Sequence, residues 1–330
     1  MQSVRKCLRM NDQQSASKEN SDLGRCLLSD SARPNFRLDK NAAKAVTSVR
    51  AGLSKEFEPR SIRALKDWPV TTRRKVLGGL SCHIVEPADK PAKILILHFY
   101  GGGYVSGKPE YDLPITAALA ALCDAIVIAP RYAQAPERPY PQAFNQGVCL
   151  YRTLTHEYAP LPVVLTGESA GGGLAAAVAL AAIGAKMPLP ACLSLFSPWV
   201  DLSKSGIAQT ATGEDPTLKT EQLAWYAEAY LAGANAKGPY VSPALARIPQ
   251  EWPSTLLTTA TGDLLHPTIL TFRDRLKNHG ADVRLIEADG MCHVFELYDE
   301  FDEAAPALRE TAAFIKAAVD SEHSQSIRET

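Results

Sequence analysis

Ser169 stands at the centre of Gly167-Glu168-Ser169-Ala170-Gly171, a G-x-S-x-G pattern between the apolar run "PVVLTG" (162–167) and the alanine-rich stretch 170–183. A strand that turns at once into a helix leaves no room for bulky neighbours. It also sets the serine hydroxyl at a helix N-terminus, where free amide hydrogens and the dipole favour developing negative charge. The pattern alone is weak, since glycine-assisted strand–helix packing explains it equally well. Its position, together with a second glycine run, points to a nucleophile.

A serine nucleophile needs a base, and the base needs an orienting acid. His293 in "DGMCHVFELY" (289–298) follows the last apolar run, a place from which it can reach across the C-terminal edge of a sheet. His156, His279 and His83 sit near helix ends or in an early hairpin and read as structural or solvated. His323 belongs to the tail, and His98, at a strand end before the glycines, reads as support. The acid is expected at the end of the preceding strand, where "TLLTTATGDLLHP" places Asp263 just past Gly262. Asp289 is too close to His293 along the chain, and Asp215 falls in an insertion.

The run "LHFYGGGYVSG" (97–107) supplies the last part. Acyl transfer needs amide donors aimed at the carbonyl oxygen as it gains charge. Gly101, Gly102 and Gly103, with the N–H of Ala170, are the candidate oxyanion-hole donors. A flexible turn is the plainer explanation of the glycines. A phosphate loop is set aside because no G-K-S/T follows.

The elements that must position these residues are legible as rhythm. Short, mostly apolar runs at 93–99, 125–130, 162–167, 191–197, 254–261 and 282–288 read as strands. Helical segments fall near 114–122, 142–155, 170–183, 268–278 and 304–319. This alternation predicts an α/β fold with a mostly parallel central sheet and helices on both faces. Before it, residues 36–57 have helical spacing and 72–86 alternate around a Gly-Gly turn as a hairpin. Residues 203–250 supply no strand but one good helix, 221–233, with an expected glycine C-cap. An insertion there lies over the sheet edge where ligands bind, so about 34–70 and 203–250 are expected to form a helical cap on a domain spanning 34–330.

Composition excludes several classes. Of 330 residues, 46% are apolar and 22% charged, ample for a buried core, and the net charge is −1 with no basic stripe. Nucleic acid and anionic membranes are therefore not expected partners. No apolar stretch reaches the roughly 18–20 residues of a membrane span. Residues 1–33 lack the apolar core of a secretory signal and read as a disordered tail, with a weak organelle-targeting segment as the alternative. The seven cysteines form no C-x-x-C pair and read as small buried hydrophobes in a reducing, cytoplasmic setting.

Taken together, the motifs resemble the hormone-sensitive-lipase-like (type IV) esterase branch of the α/β-hydrolases. "YGGGYVSG" is similar to that branch's H-G-G-G loop and "GESAGGG" to its G-D-S-A-G-G elbow. "RYAQAPERPYPQA" (131–143), "SPWVDLS" (197–203), "GDLLHP" and "GMCHVF" match further segments, and the order Ser, Asp, His is the family's own. The resemblance covers about residues 90–320. It implies a Ser169–Asp263–His293 triad, an oxyanion hole from 101–103 and Ala170, and no metal or organic cofactor.

Three positions depart from the pattern: Tyr100 for histidine, Glu168 for aspartate and Leu264 for proline. Tyr100 and Glu168 are assigned supporting roles, the Tyr100 hydroxyl as an anchor for the glycine loop. The expected partner is a small-molecule ester with a short acyl group, and a homodimer is compatible with the family. Two other functions stay open: acyl transfer, lactone or elimination chemistry on one biosynthetic intermediate, and a non-catalytic small-molecule receptor.

Overall fold

The computed structural model describes residues 40–210 and 215–328. The expected tail at 1–33, with Cys7 and Cys26, lies outside the described residues, as do residues 36–39 of the helix expected at 36–57.

The first element among the described residues is helix α1 (Lys40–Asp67), followed by an antiparallel hairpin, β1 (Val70–Leu77) and β2 (Leu80–Pro87), turning at Gly78-Gly79. There follow β3 (Ile94–Phe99), α2 (Leu113–Cys123), β4 (Ala125–Pro130), α3 (Gln142–Glu157), β5 (Val163–Glu168) and α4 (Ser169–Gly184). The last part comprises β6 (Leu193–Phe196), α5 (Lys204–Ala208), α6 (Thr220–Leu231), β7 (Thr255–Ala260), α7 (His266–Asn278), β8 (Val283–Ala288) and α8 (Ala304–Arg328). Every expected strand is present. Helix α1 runs further than expected, with Pro59 inside it, and α6 stops one step early, with Ala232 left-handed ahead of Gly233.

The eight strands form one sheet in the order β1-β2-β4-β3-β5-β6-β7-β8. Pairing is antiparallel at β1–β2 and β2–β4 and parallel from β4 through to β8. Alternation along each strand divides the core in two. Leu95, Leu97 and Phe99 of β3 pack with Val163 and Leu165 of β5 against α3 and α4. Ile94 and Ile96 of β3 pack with Val164 against α1, α2 and α8. Helices therefore cover both faces, as the apolar strand runs require, and the ends of β3, β5, β7 and β8 converge on one edge.

Candidate active site

At that edge β5 ends and α4 begins without an intervening loop, and Ser169 takes the left-handed conformation with φ 51°. The turn tolerates no side chain on its inner surface. A Cβ on Gly171 would lie 1.9 Å from the carbonyl oxygen of Phe99, and one on Gly167 would lie 2.5 Å from that of Gly171. Strand β3 and helix α4 thus touch through bare backbone, and the strained serine is held up into the site. Its own carbonyl accepts the N–H of Trp199 at 2.8 Å, fastening the elbow from the other side.

Ser169, His293 and Asp263 meet in a single hydrogen-bonded chain. Oγ of Ser169 lies 2.9 Å from Nε2 of His293, and Nδ1 of His293 lies 2.9 Å from Oδ1 of Asp263. All three are buried, Asp263 completely. The main chain on both sides is braced. Leu265 N–H donates to Asp263 Oδ1 at 2.8 Å, and Val294, left-handed at φ 50°, donates its N–H to Ser197 Oγ at 3.1 Å. Burial alone would lower the His293 value, but the charge and hydrogen bond of Asp263, with Asp215 and Glu168 beyond, push it up to about 9.

The glycine loop arrives from β3. Gly102 and Gly103 have φ of 93° and 63°, a path closed to most side chains, and both line the cavity above Ser169. Their N–H groups make no hydrogen bond among the described residues. The N–H of Ala170, in the first turn of α4, has no acceptor within the helix. Gly101 differs from the expectation. Its N–H is donated to Oε1 of Glu168, so this amide is already taken and drops out of the donor set.

Around that bond lies a buried polar cluster. Burial, reinforced by the neighbouring Asp112 carboxyl, pushes Glu168 up to about 8. Asp112 Oδ2 lies 2.7 Å from His98 Nε2, and His98 Nδ1 lies 2.9 Å from Thr166 Oγ1. Burial pushes Asp112 up and His98 down, the latter to about 4. His98 is thus a strut under the loop. Tyr100 plays a different part from the one expected. Its ring stacks on Tyr132 at 4.2 Å, while its hydroxyl makes only long contacts of 3.4 Å, to Tyr132 O and Gln134 Nε2. The short bonds holding the loop come from elsewhere: Tyr132 Oη to Tyr100 O at 2.6 Å, and Gln134 Nε2 to Ser106 O at 2.7 Å.

A cavity of about 290 Å³ opens over the serine. Helix α1 contributes Val49, Leu53 and Phe57, and the stretch from Thr217 through α6 contributes Leu218, Leu223 and Tyr226. Both are clasped to the glycine loop. Arg50 donates to Val105 O at 2.9 Å and pairs with Glu137, and Tyr230 stacks on Tyr104 at 3.8 Å.

The chain matches the α/β-hydrolase fold family over residues 96–297. It belongs to that family. This α/β-hydrolase is 32% identical over 245 residues to an acetyl-hydrolase of Streptomyces hygroscopicus, covering 73% of this chain and 81% of that relative. A hormone-sensitive lipase from a metagenome library is 28% identical, with a TM-score of 0.72 over 94% of this chain and 100% of its own. The structure of EstE5 soaked with p-nitrophenyl butyrate is 25% identical, with a TM-score of 0.76 over 92% of this chain and 99% of its own. The α/β-hydrolase described here falls in the hormone-sensitive-lipase-like esterase branch and is a carboxylic ester hydrolase.

Sequence reasoning overlooked two groups of this hydrolase. Asp112 opens a helix and carries no motif of its own, and Asp215 was set aside because it falls in the insertion. Both carboxyl groups lie beside the site. No local pattern marks either one; only the folding of distant segments onto the sheet edge brings them there.

Proposed function

We propose that this hydrolase cleaves small, short-acyl carboxylic esters through Ser169, His293 and Asp263. His293 Nε2 takes the Ser169 proton as Oγ attacks the ester carbonyl. Asp263 holds the Nδ1–H and stabilises the imidazolium. The N–H groups of Gly102, Gly103 and Ala170 receive the oxyanion. The imidazolium then protonates the departing alcohol, and an acyl-Ser169 intermediate remains. Water, deprotonated by the same histidine, attacks that intermediate and releases the acid.

The continuous Ser169–His293–Asp263 hydrogen-bond chain at a left-handed serine carries this reading. The cavity of about 290 Å³, walled by Val49, Leu53, Phe57 and Leu223, favours a compact acyl group, and α1 with the 215–231 stretch acts as its cap. Ser169→Ala should reduce turnover of p-nitrophenyl acetate at least 10⁴-fold while leaving the circular dichroism spectrum unchanged. Unchanged turnover would sink the assignment. An acyl-chain series in ¹⁸O-water tests the rest: rates should fall from acetyl to longer chains, with label entering the acid. Product without label would favour transfer, and stoichiometric binding without product a receptor.

A further inference from the structure

Asp215 stands on the connection between α5 and α6, remote in sequence from the elbow, the acid and the base, and it is 5% exposed. Its two oxygens face different ways. Oδ1 is engaged by its own chain, accepting the N–H of Thr217 at 2.8 Å and its hydroxyl at 2.7 Å. Oδ2 accepts the N–H of Leu264 at 3.3 Å and the N–H of His293 at 3.2 Å. Leu264 follows Asp263, so one carboxylate oxygen ties the main chain of the acid to that of the base. The same connection leads into Thr217, Leu218 and Tyr226, which wall the cavity.

We propose that Asp215 is a positioning residue for ester hydrolysis. It couples the seating of the covering segment to assembly of the Asp263–His293 pair, and it sets a second carboxylate beside His293, on its main-chain N–H. The inference rests on the triad reading above. Its physical basis is twofold. The residue after His293 is β-branched and left-handed, a conformation that persists only where the surroundings over-determine it, and the Oδ2 bonds are part of that restraint. A displacement of about 1 Å at a catalytic group can cost roughly 100-fold in rate. The groups facing His293 are Asp263 at Nδ1, Ser169 at Nε2, and the carboxyl groups of Asp215, Glu168 and Glu296. The adjacent Cys292 thiol is pushed up to about 12, first by burial, and so carries no charge at neutral pH.

The test compares Asp215→Ala and Asp215→Asn with the unmodified full-length chain on p-nitrophenyl acetate. The asparagine variant conserves shape and decides the matter where the alanine variant fails to fold. We expect kcat to fall about 10- to 100-fold with KM within about threefold. With one negative charge gone, the acidic limb of kcat/KM should also move to lower pH. A loss of rate with an unmoved limb, a change confined to KM, or unaltered kinetics each overturns the proposal. Labelling of the wild-type chain by a p-nitrophenyl phosphonate, located by mass spectrometry, separates the two levels. No label on Ser169 removes the triad reading and this inference with it; label on Ser169 with unaltered variants removes this inference alone.

Discussion

Two glycine-rich turns meet over the candidate nucleophile; both exclude side chains, but only the loop also depends on hydrogen bonds from distant side chains. The elbow at 167–171 is held by its own backbone, because β3 and α4 approach so closely that any side chain on Gly171 would collide with Phe99 O. The loop at 101–107 closes on itself through the Val105 and Ser106 N–H groups on Gly102 O, and it is tied down by side chains from other parts of the chain: Glu168 on Gly101 N–H, Gln134 on Ser106 O and Gly107 O, and Tyr132 on Tyr100 O. Neither turn has room for a side chain on its inner glycines. A turn fixed by hydrogen bonds degrades in steps, according to which bond is lost.

The largest effect on stability should come from the elbow. Gly171→Ala places a methyl group 1.9 Å from a backbone carbonyl that has no room to retreat. We expect a loss of about 3 kcal/mol, the upper end for overpacking, visible as a fall in the thermal midpoint and in activity. Retained stability would mean that β3 and α4 can part, which would break the contrast.

The pH profile comes next. The proposed mechanism requires neutral His293, and its proton is held more tightly than that of a free histidine at 6.5, up to about 9. Activity should therefore rise with pH along a limb displaced upward, its midpoint between those two values or near the higher. A measured kcat/KM limb below 6.5 would contradict the carboxylate environment described for the base. Asp263→Asn should lower the rate about 10⁴-fold, because the wrong tautomer is then favoured.

Smaller effects belong to the loop. Glu168→Ala leaves the Gly101 N–H buried without an acceptor, at a cost of about 1–3 kcal/mol, and should lower kcat roughly tenfold. Glu168→Gln retains an acceptor oxygen. Because the carboxyl, pushed up to about 8, already favours its neutral form at pH 7, this variant should stay within about threefold of wild type. Equal damage from both substitutions would show that charge, and not the hydrogen bond, holds the loop. Tyr100→Phe should do least, within about twofold in kcat, since the lost hydroxyl contacts are at 3.4 Å and the stacked ring remains. A large loss there would restore the anchoring role that its place in the motif had indicated.

This contrast also explains what could be read in advance. The elbow was legible because its requirement is local: small residues, in order, between a strand and a helix. Asp263 and His293 were legible because each follows a strand whose apolar run is plain in sequence. The loop's supports were legible only in part: Glu168 was given a supporting role, but its contact with Gly101, and those of Gln134 and Tyr132 with the loop, form only after β3, β4 and β5 have paired. The assignment of Gly101 as a donor failed for that reason. An amide's partner is a property of three-dimensional neighbourhood, and Glu168 is adjacent to Ser169 in sequence while its carboxyl reaches back to β3's end.

What the amino-acid order determined by itself is the α/β alternation and the parallel sheet, together with the three residues proposed to carry the chemistry. Each follows from short-range physics: apolar periodicity, turn sterics and the chain order of strand ends. What the tertiary structure decided is how those residues are held and surrounded. It brought α1 and α6 over the cavity, committed the Gly101 amide to Glu168 and set Asp215 between acid and base. Burial and long-range hydrogen bonds act only between segments already folded together, so no local pattern could announce them.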